Sequence, residues 1–524
     1  MKKEKLVDAM SLADDKYVWE ARPGRSRNNK MRRLSVIAAC LAVFVTAASL
    51  WLFVPYNTDP PDVSQYADSE YYDVIKQLNV LTYRKPSDKN NYEKYIEGAF
   101  RVMEDSMGMM QPDSEAPMEG ESAQPEWNGA EYGEVTDNQV AGVIEGDLFK
   151  RSRTHLYYLH GDMLYIYNIA GEESVRVGEF RLPSREYQIE SNKTEHVGYT
   201  VLEMYLSQDG KTVTLVANGY QSVYQQRALV AVISLDVSDP KNVTIKARAE
   251  LSGSYTSSRM VDGKLLLMSE FYVGMNPDFS DESTFLPQLD TGEGPVSIPA
   301  ENIILPEKMD SRRYTVVSVF DEGTLQNGGV CAFLSYSQEV YVSPTTVYAT
   351  HGYSVKDTTP EGYTDSHTMT EISAVHYADG ALTRGNTFAV DGYVKDQYSM
   401  DEYDGMLRVV TTTDHVLCVE SGDSQGNVLT QIVTDERTGS SASLYVFDDA
   451  TGALLGSVEH FAPVGETVES VRFDGTAAYV CTAVVATMTD PVFFFDLSDP
   501  ANITYTDTGV IEGYSTSLVE LEGG

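Results

Sequence analysis

Four aspartates end apolar runs at matching places in the chain. Asp236 closes Val230–Asp236, Asp321 closes Thr315–Asp321, Asp448 closes Ser443–Asp448 and Asp496 closes Val492–Asp496. Carboxylates that recur at one height of a repeated unit can hold Ca²⁺, which takes several hard oxygen ligands. The same carboxylates can accept backbone N–H bonds in the turn that follows. We read them as turn caps, with Ca²⁺ as the alternative. The insertion 273–311, rich in Asp, Glu and Pro, is a second candidate for Ca²⁺ or for contact with a partner.

Other chemistry is sparse. The chain has no nucleophile elbow, H-E-x-x-H, Walker loop or dinucleotide fingerprint. Its histidines (155, 160, 196, 351, 367, 376, 415 and 460) are dispersed. His155 and His160 stand at i and i+5 of one apolar run, so they face opposite sides of a strand, which is poor chelation geometry. Cys331, Cys418 and Cys481 each sit inside an apolar run without a C-x-x-C spacing, and read as buried free thiols. The methionines 103, 107, 109, 110 and 118 can ligate copper(I) by type, but they lack regular spacing with His. No catalytic residue and no cofactor is assigned from these patterns.

The elements that carry the aspartates repeat. Val230–Val243 and Asp490–Ile503 both run from an apolar strand through Asp to a Ser-Asp-Pro turn and a new start, 260 positions apart. Six Asp-Gly pairs (209, 262, 379, 391, 404 and 474 as the Asp) mark hairpins, because both residues tolerate positive φ. Successive strand ends at Asn168, Asp236, Asp321, Asp379, Asp448 and Asp496 are 68, 85, 58, 69 and 48 residues apart, the 85 containing the insertion. Units of that size with about four short strands each predict an all-β propeller of about six to eight blades. A β-sandwich array is the alternative, with a longer period.

Charge divides the chain. Overall it carries 78 acidic and 39 basic side chains, a net charge of −39, which excludes nucleic acid as a partner. The first 33 residues nevertheless have an excess of Lys and Arg. They read as a basic head with a short amphipathic helix, stopped by Arg22-Pro23-Gly24. Leu34 to Val54 follows as 21 residues without a charge or Pro, long enough to span a bilayer. Arg25, Arg27, Lys30, Arg32 and Arg33 precede it, so the N-terminus is expected in the cytoplasm and residues 55–524 outside. A cleaved signal peptide, or lipidation at Cys40, are the other readings of this segment. Residues 55–134 are expected to be a spacer, helical in parts of 62–84 and 91–103 and disordered over the acidic tract 104–134. The propeller is expected over 135–524.

Two stretches carry a family resemblance. Val140 to Lys150 (VAGVIEGDLFK), with Gly142, Glu145, Asp147 and Lys150 as its motif positions, is followed by HLYYLHGDMLYIYNI. The late run ESVRFDGTAAYVCTA and DPVFFFDLSDPANI ends in GYSTSL. Together they resemble an uncharacterised prokaryotic family of secreted or membrane-anchored proteins with a C-terminal β-propeller. Ile144 and Gly146 depart from that family's pattern, where an acid and an Ala are usual, and Arg151-Ser152 follows the Lys. Members also run on where this sequence ends, at Gly523-Gly524, so the last blade is expected to be incomplete. The resemblance implies a fold and a location and no established activity.

The sequence therefore points to a single-pass, membrane-anchored, extracytoplasmic propeller. Its expected role is to bind an envelope protein, a peptide or a glycan through loops on a rigid scaffold. A polysaccharide hydrolase or lyase using axial carboxylates is the alternative. A receptor whose residues 1–30 engage a cytoplasmic partner is a further one.

Overall fold

Alternation of apolar and polar residues over short runs, punctuated by Asp-Gly and Gly-Asp pairs, produces antiparallel sheet nearly throughout. The computed structural model describes residues 60–83 and 140–512, except 141, 190–192, 222–227, 307, 310, 378–379, 423–427, 434–437 and 484–488. The basic head, the apolar segment 34–54, the second expected helix at 91–103 and the acidic tract lie outside the described residues. Among the described residues no helix is long and apolar enough to cross a membrane.

Among the described residues, six sets of four antiparallel strands follow one another. The first holds Phe149–Arg151, His155–His160, Met163–Asn168 and Arg176–Arg181. The second holds Lys193–Leu206, Thr212–Gln221, Ala228–Asp236 and Thr244–Ser252. Ser254–Val261, Lys264–Tyr272, Arg313–Asp321 and Asn327–Phe333 make the third. The fourth is Val340–Val342, Thr346–Thr358, Thr364–His376 and Thr383–Asp391. The fifth is Met400–Tyr403, Met406–Gly422, Gly439–Asp448 and Leu454–Val458. Thr467–Asp474, Ala477–Ala483, Thr489–Asp496 and Thr504–Glu512 make the sixth. The sixth set, expected to be incomplete, has its fourth strand by Glu512.

The hairpin signals fold as turns. Asp262-Gly263 joins Val261 to Lys264, and Asp404-Gly405 joins Tyr403 to Met406, with both turn residues at positive φ in each case.

Each set exposes an apolar face, and each successive pair buries those faces in one cluster. Tyr157, Leu164 and Ile166 of the first set meet Leu215, Ile233 and Leu235 of the second. Val230 and Val232 meet Leu265, Leu267 and Val316 across the next seam. Val317 and Val319 then meet Val347 and Val375. Ile372 and Phe388 meet Leu407 and Phe447. Leu444 and Val446 meet Val480 and Phe495. At roughly 1.5–3 kcal/mol for each large apolar side chain removed from water, these seams dominate the stability.

The Ser-Asp-Pro turns belong to this stacking. A Cβ on Gly178, in the last strand of the first set, would stand 1.9 Å from the Pro240 carbonyl oxygen of the second. A Cβ on Gly456, in the last strand of the fifth set, would stand 1.9 Å from the Pro500 carbonyl oxygen of the sixth. Both copies of the turn seat their proline carbonyl on a neighbour that has no room for a side chain.

Two segments expected outside the sheets join the core. The helix forms at Tyr72–Tyr83, which we call α1. Tyr71, Val74, Ile75 and Leu78, on one helical face, bury in the cluster shared by the second and third sets. The insertion 273–311 packs against it through Phe285, Leu286 and Ile298, and the Tyr71 hydroxyl donates to the Ile298 carbonyl at 3.2 Å. Within the insertion Gln288–Asp290 extends the second sheet and Ile303–Ile304 extends the third. The packed body thus starts well before Val135, because α1 and the insertion supply apolar residues that only each other and this seam can cover.

Candidate functional site

The fourth and fifth sets are fused by long strands. Thr346–Thr358 and Thr364–His376 pair over their whole length, beyond the reach of the neighbouring strand Thr383–Asp391. Met406–Gly422 is longer still. Its first part pairs with Gly439–Asp448, and its end pairs with Thr364–Ser366 and with Val428–Val433. Where this strand changes partners stands His415, opposite Gly439.

His415 lies between two carboxylates. Its Nδ1 is 2.9 Å from Oδ2 of Asp365, and its Nε2 is 2.7 Å from Oδ2 of Asp391. Asp365 and His367 stand at i and i+2 of one strand and so share a face. The His367 ring stacks on the His415 ring with centroids 4.6 Å apart and planes 19° from parallel. His367 Nδ1 is 3.8 Å from Asp365 Oδ1. On the other side, the His460 ring stands edge-on to His415 at 5.7 Å, held by a backbone at φ +52°. The side chains of His367, His415 and Asp365 are 10%, 13% and 18% exposed, so water screens this cluster little. The hydrogen bond from His415 to Asp391 raises the His415 pKa to about 9; burial opposes it and Asp365 adds to it. Asp414, beside His415 in sequence, accepts from the Thr368 backbone N–H and hydroxyl, each at 2.8 Å, and fixes the two strands in register.

Thr368 also borders a cleft of about 540 Å³. Its other walls include Arg313, Tyr336, Gln338, His351 and Gly352. The Arg313 guanidinium lies over the Tyr336 ring at 4.9 Å and donates to Glu270 at 2.6 Å. Tyr336 is 40% exposed, and Tyr272, under Arg312 at 5.6 Å, is 53% exposed. The His351 ring nitrogens face the carbonyls of Tyr336 and Lys308. The result is an open, hydroxyl- and amide-lined groove in which Tyr336 lies under the Arg313 guanidinium, with the Tyr272–Arg312 pair outside its walls.

The motif positions Gly142, Glu145, Asp147 and Lys150 lie elsewhere, on a segment that crosses three sets. Val143–Glu145 pairs with Arg259–Val261 of the third set, Asp147 bridges Met204 of the second, and Phe149–Arg151 opens the first. The Glu145 carboxylate pairs with Arg259 at 3.1 Å, and Lys150 Nζ donates to the Glu145 carbonyl at 2.8 Å. Gly142 takes φ +82° before the strand. Gly146, one of the departures from the family pattern, has a reason here, because a Cβ would stand 2.4 Å from the Glu203 carboxyl carbon. Glu203 accepts from Tyr255 at 2.9 Å and from Ser258, and burial pushes its carboxyl up.

The four strand-end aspartates are not brought together. Asp236 accepts from the Ser238 backbone N–H at 2.9 Å, and Asp496 accepts from that of Ser498 at 3.0 Å. Asp448 accepts from the backbone and hydroxyl of Thr451 at 2.7 and 2.6 Å. Asp321 pairs with Lys264. Each sits in its own turn, and the three that cap have carboxyls lowered by those bonds, with Asp236 and Asp448 partly exposed and Asp496 exposed. Paired carboxylates for glycosidic cleavage are therefore not formed from these four. Among the described residues, the groups with metal-ligand geometry are Asp365–His367–His415 and Asp391–His415–His460. The three histidines of these groups are far apart in the chain, and the D-x-H spacing at 365–367 is the one local signal of them. Among the described residues Cys331, Cys418 and Cys481 form no disulfide; Cys331 and Cys481 are buried and Cys418 partly so. Burial pushes the Cys331 thiol up to about 12.

Successive four-stranded antiparallel sets, stacked face to face, define a protein of the β-propeller class. The chain belongs to the beta propeller domain family, whose model matches residues 134–522. An uncharacterized protein of Archaeoglobus fulgidus is 30% identical over 164 residues, which are 31% of this chain and 22% of that protein. One of Methanocaldococcus jannaschii is 33% identical over 132 residues, 25% of this chain and 17% of that protein. The chain thus spans about a fifth of the length of these relatives. Among solved structures, KlHsv2 with loop 6CD replaced by a Gly-Ser linker aligns at TM-score 0.24 and 10% identity, over 69% of this chain and 95% of that one. The dihydro-heme d1 dehydrogenase NirN aligns at 0.21 and 12%, over 68% of this chain and 66% of that one. Neither likeness extends to function.

Proposed function

We propose that this chain is a membrane-tethered, extracytoplasmic binding module of six blades, and that it takes a glycan in the cleft beside Tyr336. The observation that carries this reading is the make-up of the cleft. It is open and polar, and its exposed Tyr336 ring is fixed by Arg313, which suits the flat apolar face and hydroxyl rim of a sugar. Gly352 supports it as well, because a Cβ there would stand 2.6 Å from the Gln338 side-chain oxygen and push that amide out of the cleft. The tether rests on the 21-residue apolar segment 34–54 and the arginines before it. The acidity of the rest of the chain argues against a nucleic acid and against an anionic lipid face as the ligand.

The test is binding of the purified full chain to cell-envelope polysaccharide and to a glycan array, beside the variants Tyr336→Ala and Arg313→Ala. Saturable binding to a glycan class that falls at least about ten-fold in Tyr336→Ala supports the reading. Binding only to peptide or protein, or glycan binding untouched by both changes, overturns it.

A further inference from the structure

The polar cluster where the fourth and fifth sets fuse has more basic ring nitrogen than its acids require. Two carboxylates face His415, one at each ring nitrogen. That arrangement alone would satisfy an imidazole as a structural ion pair. It leaves His367 without a purpose. His367 is nine-tenths buried, and its Nδ1 has no hydrogen-bond partner. A buried polar atom left unpaired costs about 1–3 kcal/mol, so its persistence asks for a ligand. Asp391 likewise keeps Oδ1 buried and unpaired.

The positions of these atoms supply that ligand. His367 and His415 stack nearly parallel, and Nδ1 of each lies beside the carboxylate of Asp365. The separations are 2.9 Å from His415 Nδ1 to Asp365 and 3.8 Å from His367 Nδ1 to Asp365. All three ligand atoms lie within 4.8 Å of one another. A four-coordinate zinc shell with bonds near 2.0–2.1 Å sets its ligands about 3.3 Å apart, between the two separations to Asp365. The strands that carry the three residues are cross-linked by hydrogen bonds at this point, which holds the set in place without metal.

We propose that Asp365, His367 and His415 bind one divalent transition-metal ion of the zinc class. Nδ1 of both histidines and one oxygen of Asp365 are the donors, and a fourth position is left for water or a ligand. Asp391 then takes the role of the outer carboxylate, accepting from the Nε2–H of His415 and fixing its tautomer so that Nδ1 faces the metal. Two imidazoles and one carboxylate suit zinc, copper(II), cobalt(II) or nickel(II); calcium takes six to eight oxygens, which this site does not offer. His460 is outside this set: its ring stands edge-on to His415 at 5.7 Å, and it groups instead with Asp391, which lies at Nε2 of His415.

The experiment is calorimetric titration of the full chain, stripped with chelator, with Zn²⁺ alone, and absorption spectroscopy with Co²⁺ alone. One equivalent of Zn²⁺ and the ligand-field bands of four- or five-coordinate cobalt are expected. Asp365→Ala and His367→Ala lose that equivalent, Asp391→Asn weakens it about 10- to 100-fold, and His460→Ala leaves it in place. His367→Cys restores binding and adds a thiolate-to-cobalt charge-transfer band, which a merely structural role for His367 would not produce. Absence of a stoichiometric site in the wild-type chain overturns the proposal. So does binding that survives His367→Ala in a variant whose circular dichroism matches the wild type, or binding lost only in His460→Ala.

Discussion

Nε2 of His415 lies 2.7 Å from Oδ2 of Asp391, and this contact joins the last strand of the fourth set to the long strand of the fifth. It sits at the root of the fused hairpins, where the strand Met406–Gly422 leaves one sheet for another. In chelator, Asp391→Asn is expected to lose about 2 kcal/mol of unfolding free energy, the contribution of a hydrogen bond between charged groups shielded from water. Urea denaturation measures it; a loss below about 0.5 kcal/mol would mean that the contact is only incidental to the seam.

Gly178 and Gly456 should tolerate no side chain. Alanine at either drives a Cβ onto a proline carbonyl of the next set, a clash that backbone must relieve. The expected cost is about 1–3 kcal/mol each. Gly274→Ala is the control, because nothing stands within 4 Å of its Cβ position. If Gly456→Ala melts with the control, the turn does not lock the seam.

Leu78 of α1 is fully buried against the second and third sets. Leu78→Ala is expected to destabilise the whole β body by about 3 kcal/mol, as truncation of a core leucine does. A spacer helix that merely links the body to a membrane would lose nothing on this change. The readout is the urea midpoint followed through tyrosine fluorescence.

Glu339 gives a pH dependence with a definite sign. Burial, with repulsion from Asp396, raises its pKa from 4.5 to about 7. Between those values the folded chain keeps a proton that the unfolded chain has released. Its contribution to stability is therefore present at low pH and falls as pH rises from 4.5 to about 7. Glu339→Gln should match the wild-type Tm at pH 4 and exceed it at pH 8. A constant difference across that range would remove Glu339 as the cause.

The architecture was largely legible. Asp262-Gly263 and Asp404-Gly405 mark tight hairpins because local backbone preference alone sets them. The strand-Asp-Ser-Asp-Pro unit marked a repeat for the same reason. The unit's purpose was not legible, since Gly178 and Gly456 meet their prolines only when two sheets stack. The helix at Tyr72–Tyr83 was visible in its spacing, but its burial was not, because the insertion that covers it lies two hundred residues away.

What the sequence determined by itself is whatever depends on near neighbours along the chain: alternating strands, turns that need positive φ, caps such as Asp236 with Ser238, the apolar segment 34–54 and the division of charge. The tertiary structure alone decided the candidate site. Asp365, Asp391 and His415 come from three strands, and their chemistry follows from distances set when Met406–Gly422 exchanges one sheet for the next. Extended backbone with alternating side chains is a local preference, but the meeting of two strands is fixed by the packing of the whole array, so no spacing in the chain could announce it.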